Sequence, residues 1–137
     1  MNQPLRLITR LAVAAGLGYD AYAHADLAAS FDANRALISQ GMLFRTEAAA
    51  AVLAGLLVLF IRHRAAALFA LFIAGSALGA VLLYRYVDLG ALGPLPDMYE
   101  PSWYVEKTSS AVAEAVALLA AATLLFSQDA KRRPPPD

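Results

Sequence analysis

The chain has 137 residues, of which 60% are hydrophobic and 16% charged, and its mean hydropathy is +0.55. Soluble domains are nearer roughly 45–50% apolar and about 25% charged, so this composition is typical of a membrane protein. Eleven basic and eleven acidic side chains balance, which argues against nucleic acid as a partner. The absence of cysteine excludes disulfides, thiolate metal ligands and cysteine nucleophiles.

Four apolar blocks follow one another along the chain, and each is near the ~20 residues that a helix needs to cross a bilayer. They cover about residues 7–29, 42–61, 65–87 and 108–126. A chain of this length cannot bury four helices that are apolar all round. The prediction is therefore an all-α fold, in which residues 1–128 form one membrane domain, a bundle of four transmembrane helices.

Basic residues cluster on one side of the predicted spans. They precede the first span, join the second to the third, and follow the fourth: Arg6, Arg10, Arg62, Arg64, Lys131, Arg132 and Arg133. Because short cytoplasmic segments carry the excess of Lys and Arg, both termini are expected in the cytoplasm of a multi-pass cell-membrane protein. The proline-rich residues 129–137 are expected to form a disordered cytoplasmic tail.

Ionisable side chains inside the apolar blocks are the main functional signal, because charge in hydrocarbon is costly unless it is paired, hydrated or neutralised. At ~1.5 Å per residue, His24, Glu47 and Glu114 lie at one level, ~21–22 Å from the inner boundary, with Asp20 at ~15 Å. Asp20 and His24 are four residues apart and therefore share a helix face. These four side chains are predicted to face one another in the outer half of the bundle.

Two arginines and one loop are predicted to complete this site. Arg45 or Arg85 is expected to lie nearby as the counter-charge. Residues 88–106 join the last two spans, and their three prolines and two glycines exclude a regular helix. Their apolar content predicts a lid over the outer mouth of the bundle. The lid residues singled out as part of the site are Asp97, Tyr99, Glu100 and Trp103.

Three interpretations of the polar residues remain open. They form a structural network that fixes helix register, a site for a proton, a metal or a small solute, or the centre of an enzyme acting on lipid or quinone. Histidine and carboxylates ligate Zn, Mn, Fe or Cu and also relay protons. Because a Glu-x-x-His di-iron motif, a nucleophile elbow and a P-loop are all missing, we expect a non-enzymatic accessory or transport-linked role. The alternative is a subunit of a quinone- or lipid-linked oxidoreductase, and no cofactor is assigned.

The expected partners are the lipid bilayer and either another membrane protein or a second copy of the chain. Gly75 and Gly79 have the small-xxx-small spacing with which membrane helices approach closely. This spacing favours packing within the bundle over a homodimer face.

Three segments carry a resemblance to other proteins: residues 18–27, 41–48 and 82–101. With their Tyr-Asp-Ala-Tyr-Ala-His, Phe-Arg-Thr-Glu and Tyr-Arg-Tyr-Val-Asp motifs, they resemble small four-helix membrane proteins of high-GC bacteria, which implies the bacterial inner membrane. In size and number of spans the chain is also similar to DoxX-like membrane proteins, some of which are subunits of quinone-linked oxidoreductases. Neither resemblance implies a role for a particular residue.

Overall fold

The computed structural model describes residues 1–130, and this part of the chain is all-α, as predicted. The helices are α1 (Gln3–Ala28), α2 (Gln40–Phe60), α3 (Arg64–Tyr86) and α4 (Val105–Ala130). A short 3-10 helix at Ala29–Phe31 follows α1. Residues 131–137 of the predicted tail lie outside the described residues, and residues 129 and 130 belong to α4.

Polar caps start three of the helices ahead of their apolar blocks. The side chain of Asn2 accepts a hydrogen bond from the Leu5 N–H at 3.0 Å, and Ser39 Oγ accepts one from the Met42 N–H at 3.0 Å. His63 Nδ1 accepts a hydrogen bond from the Ala65 N–H at 3.1 Å. Because such caps satisfy backbone donors that the first turn leaves unpaired, the helices begin earlier than hydropathy alone indicates.

The four helices pack as a closed ring. α1 contacts α2 and α4, and α3 contacts the same two helices from the opposite side. The core between them consists mainly of alanine, with a few larger aliphatic side chains from all four helices, and the alanines let the helices approach closely. Buried members from each helix are Val13, Leu17, Ala51, Ala54, Ala70, Ala74, Ala117 and Ala121.

The bundle has two unlike ends. The turn end carries the start of α1 and the tight connection of residues 61–63 between α2 and α3. The loop end carries residues 29–39, between α1 and α2, and residues 87–104, between α3 and α4.

An arginine closes the turn end. Arg10, on α1, donates hydrogen bonds from Nε to the Val58 carbonyl at 2.6 Å and from Nη2 to the Leu59 carbonyl at 2.5 Å. These carbonyls belong to the last turn of α2, where the helix itself supplies no N–H donors to them. The guanidinium therefore caps α2 from a neighbouring helix.

Within the described residues, three helices are long and apolar enough to cross a membrane: α2, α3 and α4. Only 28% of the most apolar stretch of α2 is buried, and 33% of that of α3 and of α4, so most of this apolar surface faces outward. Of the four spans predicted from the sequence, three meet this measure and α1 does not. α1 does not qualify because Arg10, Asp20 and His24 interrupt its apolar run.

Candidate functional site

The structure brings together Asp20 and His24 of α1 with Glu114 of α4. One ligand atom from each of the three side chains lies within 4.8 Å of the others. His24 Nδ1 is 2.8 Å from Asp20 Oδ1, as the four-residue spacing on one helix face allows. The side chains of Asp20 and Glu114 are fully buried, and His24 is nearly so.

Ser110 connects the two carboxyl groups. Its Oγ lies 3.0 Å from Asp20 Oδ1 and 2.9 Å from Glu114 Oε1, so the hydroxyl group bridges α1 and α4. Because a hydroxyl has a single proton, it donates to one of these oxygens at a time. We call Asp20, His24, Ser110 and Glu114 the acid–histidine cluster.

Each carboxyl group of the cluster keeps one oxygen without a partner. Asp20 Oδ2 and Glu114 Oε2 are buried and have no hydrogen-bond partner among the residues described. A buried oxygen left unpaired is costly, and most buried polar atoms in proteins are hydrogen-bonded. A proton shared by the two carboxyl groups, or a bound cation, would give these oxygens the partner that they lack.

A partly open cavity of about 370 Å³ lies beside the cluster at the loop end. His24 and Ser110 belong both to the cluster and to the cavity wall. Glu47, on α2, also lines the cavity, and its Oε1 is buried without a hydrogen-bond partner among the described residues. The wall is otherwise largely apolar, with His24 edge-on to the Phe44 ring at a centroid distance of 5.1 Å.

Arg45 and Arg85, expected as counter-charges, bind elsewhere. Arg45 forms a bidentate ion pair with Asp32 in the loop of residues 29–39, with N–O distances of 2.6 and 2.8 Å. The hydrogen bond from Arg45 holds the pKa of the Asp32 carboxyl below its ordinary value.

The guanidinium carbon of Arg85 lies over the rings of Tyr86 and Trp103, at 4.9 and 5.7 Å. The basic side chain that contacts Asp20 in the structure is therefore His24.

The segment predicted as a lid is tied to the rest of the loop end. The Ile38 N–H donates to the Pro94 carbonyl at 3.0 Å, and Asn34 Nδ2 donates to the Asp97 carbonyl at 2.8 Å. The Glu100 N–H donates to the carbonyl of Tyr84, near the end of α3, at 3.1 Å. Residues 87–104 thus cross the helix ends and are joined to both neighbouring segments.

The four lid residues have different positions relative to the cavity. Glu100 lines it, whereas Asp97, Tyr99 and Trp103 lie outside its wall. Hydrogen bonds from Ser102 hold the pKa of Glu100 below its ordinary value. The Trp103 ring lies near the wall, 5.5 Å from Nζ of the cavity residue Lys107.

Sequence reasoning missed Ser110 and did not assign Lys107 to the site. Ser110 precedes Glu114 by one helical turn, a spacing that would have placed both on one face of α4. Lys107 is buried and donates to the Glu100 and Ser102 carbonyls at 2.5 and 3.1 Å, contacts that depend on the path of the loop.

Comparison with protein families, curated proteins and solved structures gives no match.

Proposed function

We propose that the chain is a non-enzymatic, transport-linked or accessory membrane protein that binds a small amphipathic solute in its loop-end cavity. In this proposal α1 is a fourth transmembrane helix, and the loop end faces away from the cytoplasm. The observation that carries the proposal is the composition of the cavity wall. The wall is apolar except for a few polar groups, which include Glu47 and His24.

The outer surface of the bundle supports a membrane location. Large apolar side chains are turned away from the core on every helix that qualifies as a span: Phe60 and Phe72 are 79% and 68% exposed, and Leu119 is 70% exposed. Water would disfavour so large an apolar surface, whereas lipid accepts it.

The position of α1 supports its assignment as a fourth span. It packs between α2 and α4, it buries Asp20, and it exposes Leu7, Ile8 and Leu11 on the opposite side. Ionisable groups inside membranes characteristically face the bundle interior. The polar residues that lower the hydropathy of α1 are therefore compatible with a membrane span.

The cavity indicates the class of solute. Its volume of about 370 Å³ is within the range of small-molecule sites, which are mostly apolar with a few oriented polar groups. The buried oxygen of Glu47 accepts a hydrogen bond and donates none when ionised. The best-matched ligand has an apolar body and a hydrogen-bond-donating head, such as a primary amine.

Trp103 is the only tryptophan of the chain and lies beside the cavity residue Lys107, so its fluorescence reports on solute binding. Titrating octylamine into protein in lipid nanodiscs should give a saturable change in Trp103 emission, and octanol should bind more weakly. Glu47→Gln should weaken octylamine binding about tenfold or more, the loss expected for a hydrogen bond to a charged group. Asp26→Asn, a change of an exposed carboxylate on α1 that does not line the cavity, is the control.

Two results would contradict this function. One is an octylamine signal that does not saturate, or that is equal in wild type and Glu47→Gln. The other is a flavin, haem or quinone that purifies with the protein in a one-to-one ratio, which would favour the oxidoreductase subunit.

A further inference from the structure

We infer that Asp20, His24 and Glu114 bind a divalent transition-metal ion inside the bundle. This site adjoins the solute-binding wall, of which Glu47 is the key residue, and shares His24 with it. The inference rests on geometry, on burial and on the donor set.

The geometry gathers three ligand-type side chains from two facing helices. Their ligand atoms lie within 4.8 Å of one another, so a small movement of the side chains brings all three to a common ion. Helix bundles commonly build metal sites in this way, from inward-facing carboxylates and histidines. Ser110 Oγ lies within hydrogen-bond distance of one oxygen of each carboxyl group, and by donating to one of them it orients that ligand.

Burial gives an independent reason. Asp20 and Glu114 are fully buried, and each has a buried oxygen with no hydrogen-bond partner in the described part of the chain. A metal ion satisfies both oxygens at once. It also balances the charge, because two carboxylates and a neutral imidazole together match a divalent cation.

The donor set selects the class of ion. One imidazole nitrogen with two carboxylates suits Zn²⁺, Mn²⁺ or Fe²⁺, whereas Ca²⁺ and Mg²⁺ take oxygen ligands and Cu⁺ prefers sulfur. Three protein ligands leave at least one coordination position for water or a solute. Since His24 lines the cavity, the ion reaches the cluster from the loop end.

The direct test is to measure Zn²⁺ and Mn²⁺ binding to tag-free protein in nanodiscs by equilibrium dialysis with elemental analysis. Wild type should bind one ion per chain. Asp20→Asn and Glu114→Gln should each weaken binding by at least about tenfold, since even the partners of metal ligands are worth 10–100-fold. Asp26→Asn and His63→Asn remove an exposed carboxylate on α1 and the other histidine of the chain, and both should bind like wild type.

X-ray absorption of the Zn²⁺-loaded wild type keeps the test informative if a buried variant fails to fold. It should show one imidazole in an otherwise oxygen shell, and His24→Asn should lose the imidazole signal. Binding of less than one ion per chain, or equal losses in the control variants, would overturn the inference. Octylamine binding in Glu114→Gln separates the two proposals: the solute signal should persist where the metal is lost.

Discussion

At the residue scale, Arg10 shows how this bundle uses a charged side chain at the end of an apolar helix. Its guanidinium satisfies two carbonyls in the last turn of α2 and also places positive charge at the negative end of the helix dipole. Arg6, one turn earlier on α1, lies in the same basic region, but its Nη2 has no hydrogen-bond partner among the described residues. A comparison of Arg10 and Arg6 variants therefore measures how much the cap on α2 contributes to stability.

Replacing Arg10 by methionine should destabilise the fold by about 1.5–3 kcal/mol, the net worth of hydrogen bonds made by a charged group. Arg6→Met should cost clearly less. Thermal unfolding of both variants in the same detergent measures the difference. Equal stability of Arg10→Met and Arg6→Met would show that the cap on α2 contributes little.

The sequence predicted part of the site at this scale. Helical spacing placed Asp20 and His24 on one face, and their side chains are in contact in the structure. The partners of Arg45 and Arg85 were not predictable, because they depend on loop paths that helical periodicity does not encode. Asp32 and Trp103, which these arginines contact, both lie in the loop-end segments.

At the scale of elements, a close contact between α1 and α4 involves a glycine outside the predicted small-xxx-small motif. A Cβ built on Gly16 of α1 would lie 2.7 Å from the Ala113 carbonyl oxygen and 3.0 Å from the Ala117 Cβ, both on α4. Gly79, half of the predicted packing motif, has no atom within 4 Å of such a Cβ in the described structure. Gly75 would meet only Leu118, at 3.4 Å.

Gly16→Ala should therefore destabilise the bundle by about 1–3 kcal/mol, because overpacking forces α1 and α4 apart. Gly79→Ala fills open space and removes a flexible residue from a helix, so it should be neutral or stabilising by up to about 1 kcal/mol. Chemical denaturation of the two variants in mixed micelles compares them directly. A destabilised Gly79→Ala beside an unaffected Gly16→Ala would mean that the α1–α4 contact is looser than described.

The number and order of helices could be predicted from the apolar blocks, because four hydrophobic stretches separated by polar or proline-containing segments leave few alternatives. The helix starts could not, since Asn2, Ser39 and His63 act through single capping bonds. A spacing rule also cannot predict that Gly16, and not Gly79, lies at a close contact between helices. This contact depends on which faces of α1, α3 and α4 meet in the closed ring.

At the scale of the whole molecule, one helix differs from the other three. α2, α3 and α4 present broad apolar surfaces, whereas α1 carries Asp20 and His24 into the interior and supports both proposed sites. If the bundle lies in a membrane, α1 must cross it as well, because it packs along α2 and α4 between the turn end and the loop end. The central claim is therefore that a comparatively polar helix spans the bilayer and holds a polar site within it.

Cysteine labelling in intact cells tests this claim most directly, and the natural chain contributes no cysteine of its own. Single variants Gln3→Cys, Leu37→Cys and His63→Cys mark the start of α1, the loop end and the turn end. A membrane-impermeant maleimide should label Leu37→Cys from outside, and should label Gln3→Cys and His63→Cys only after the membrane is permeabilised. Labelling of residues 3 and 37 from the same side would contradict the account, because α1 would then not cross the membrane.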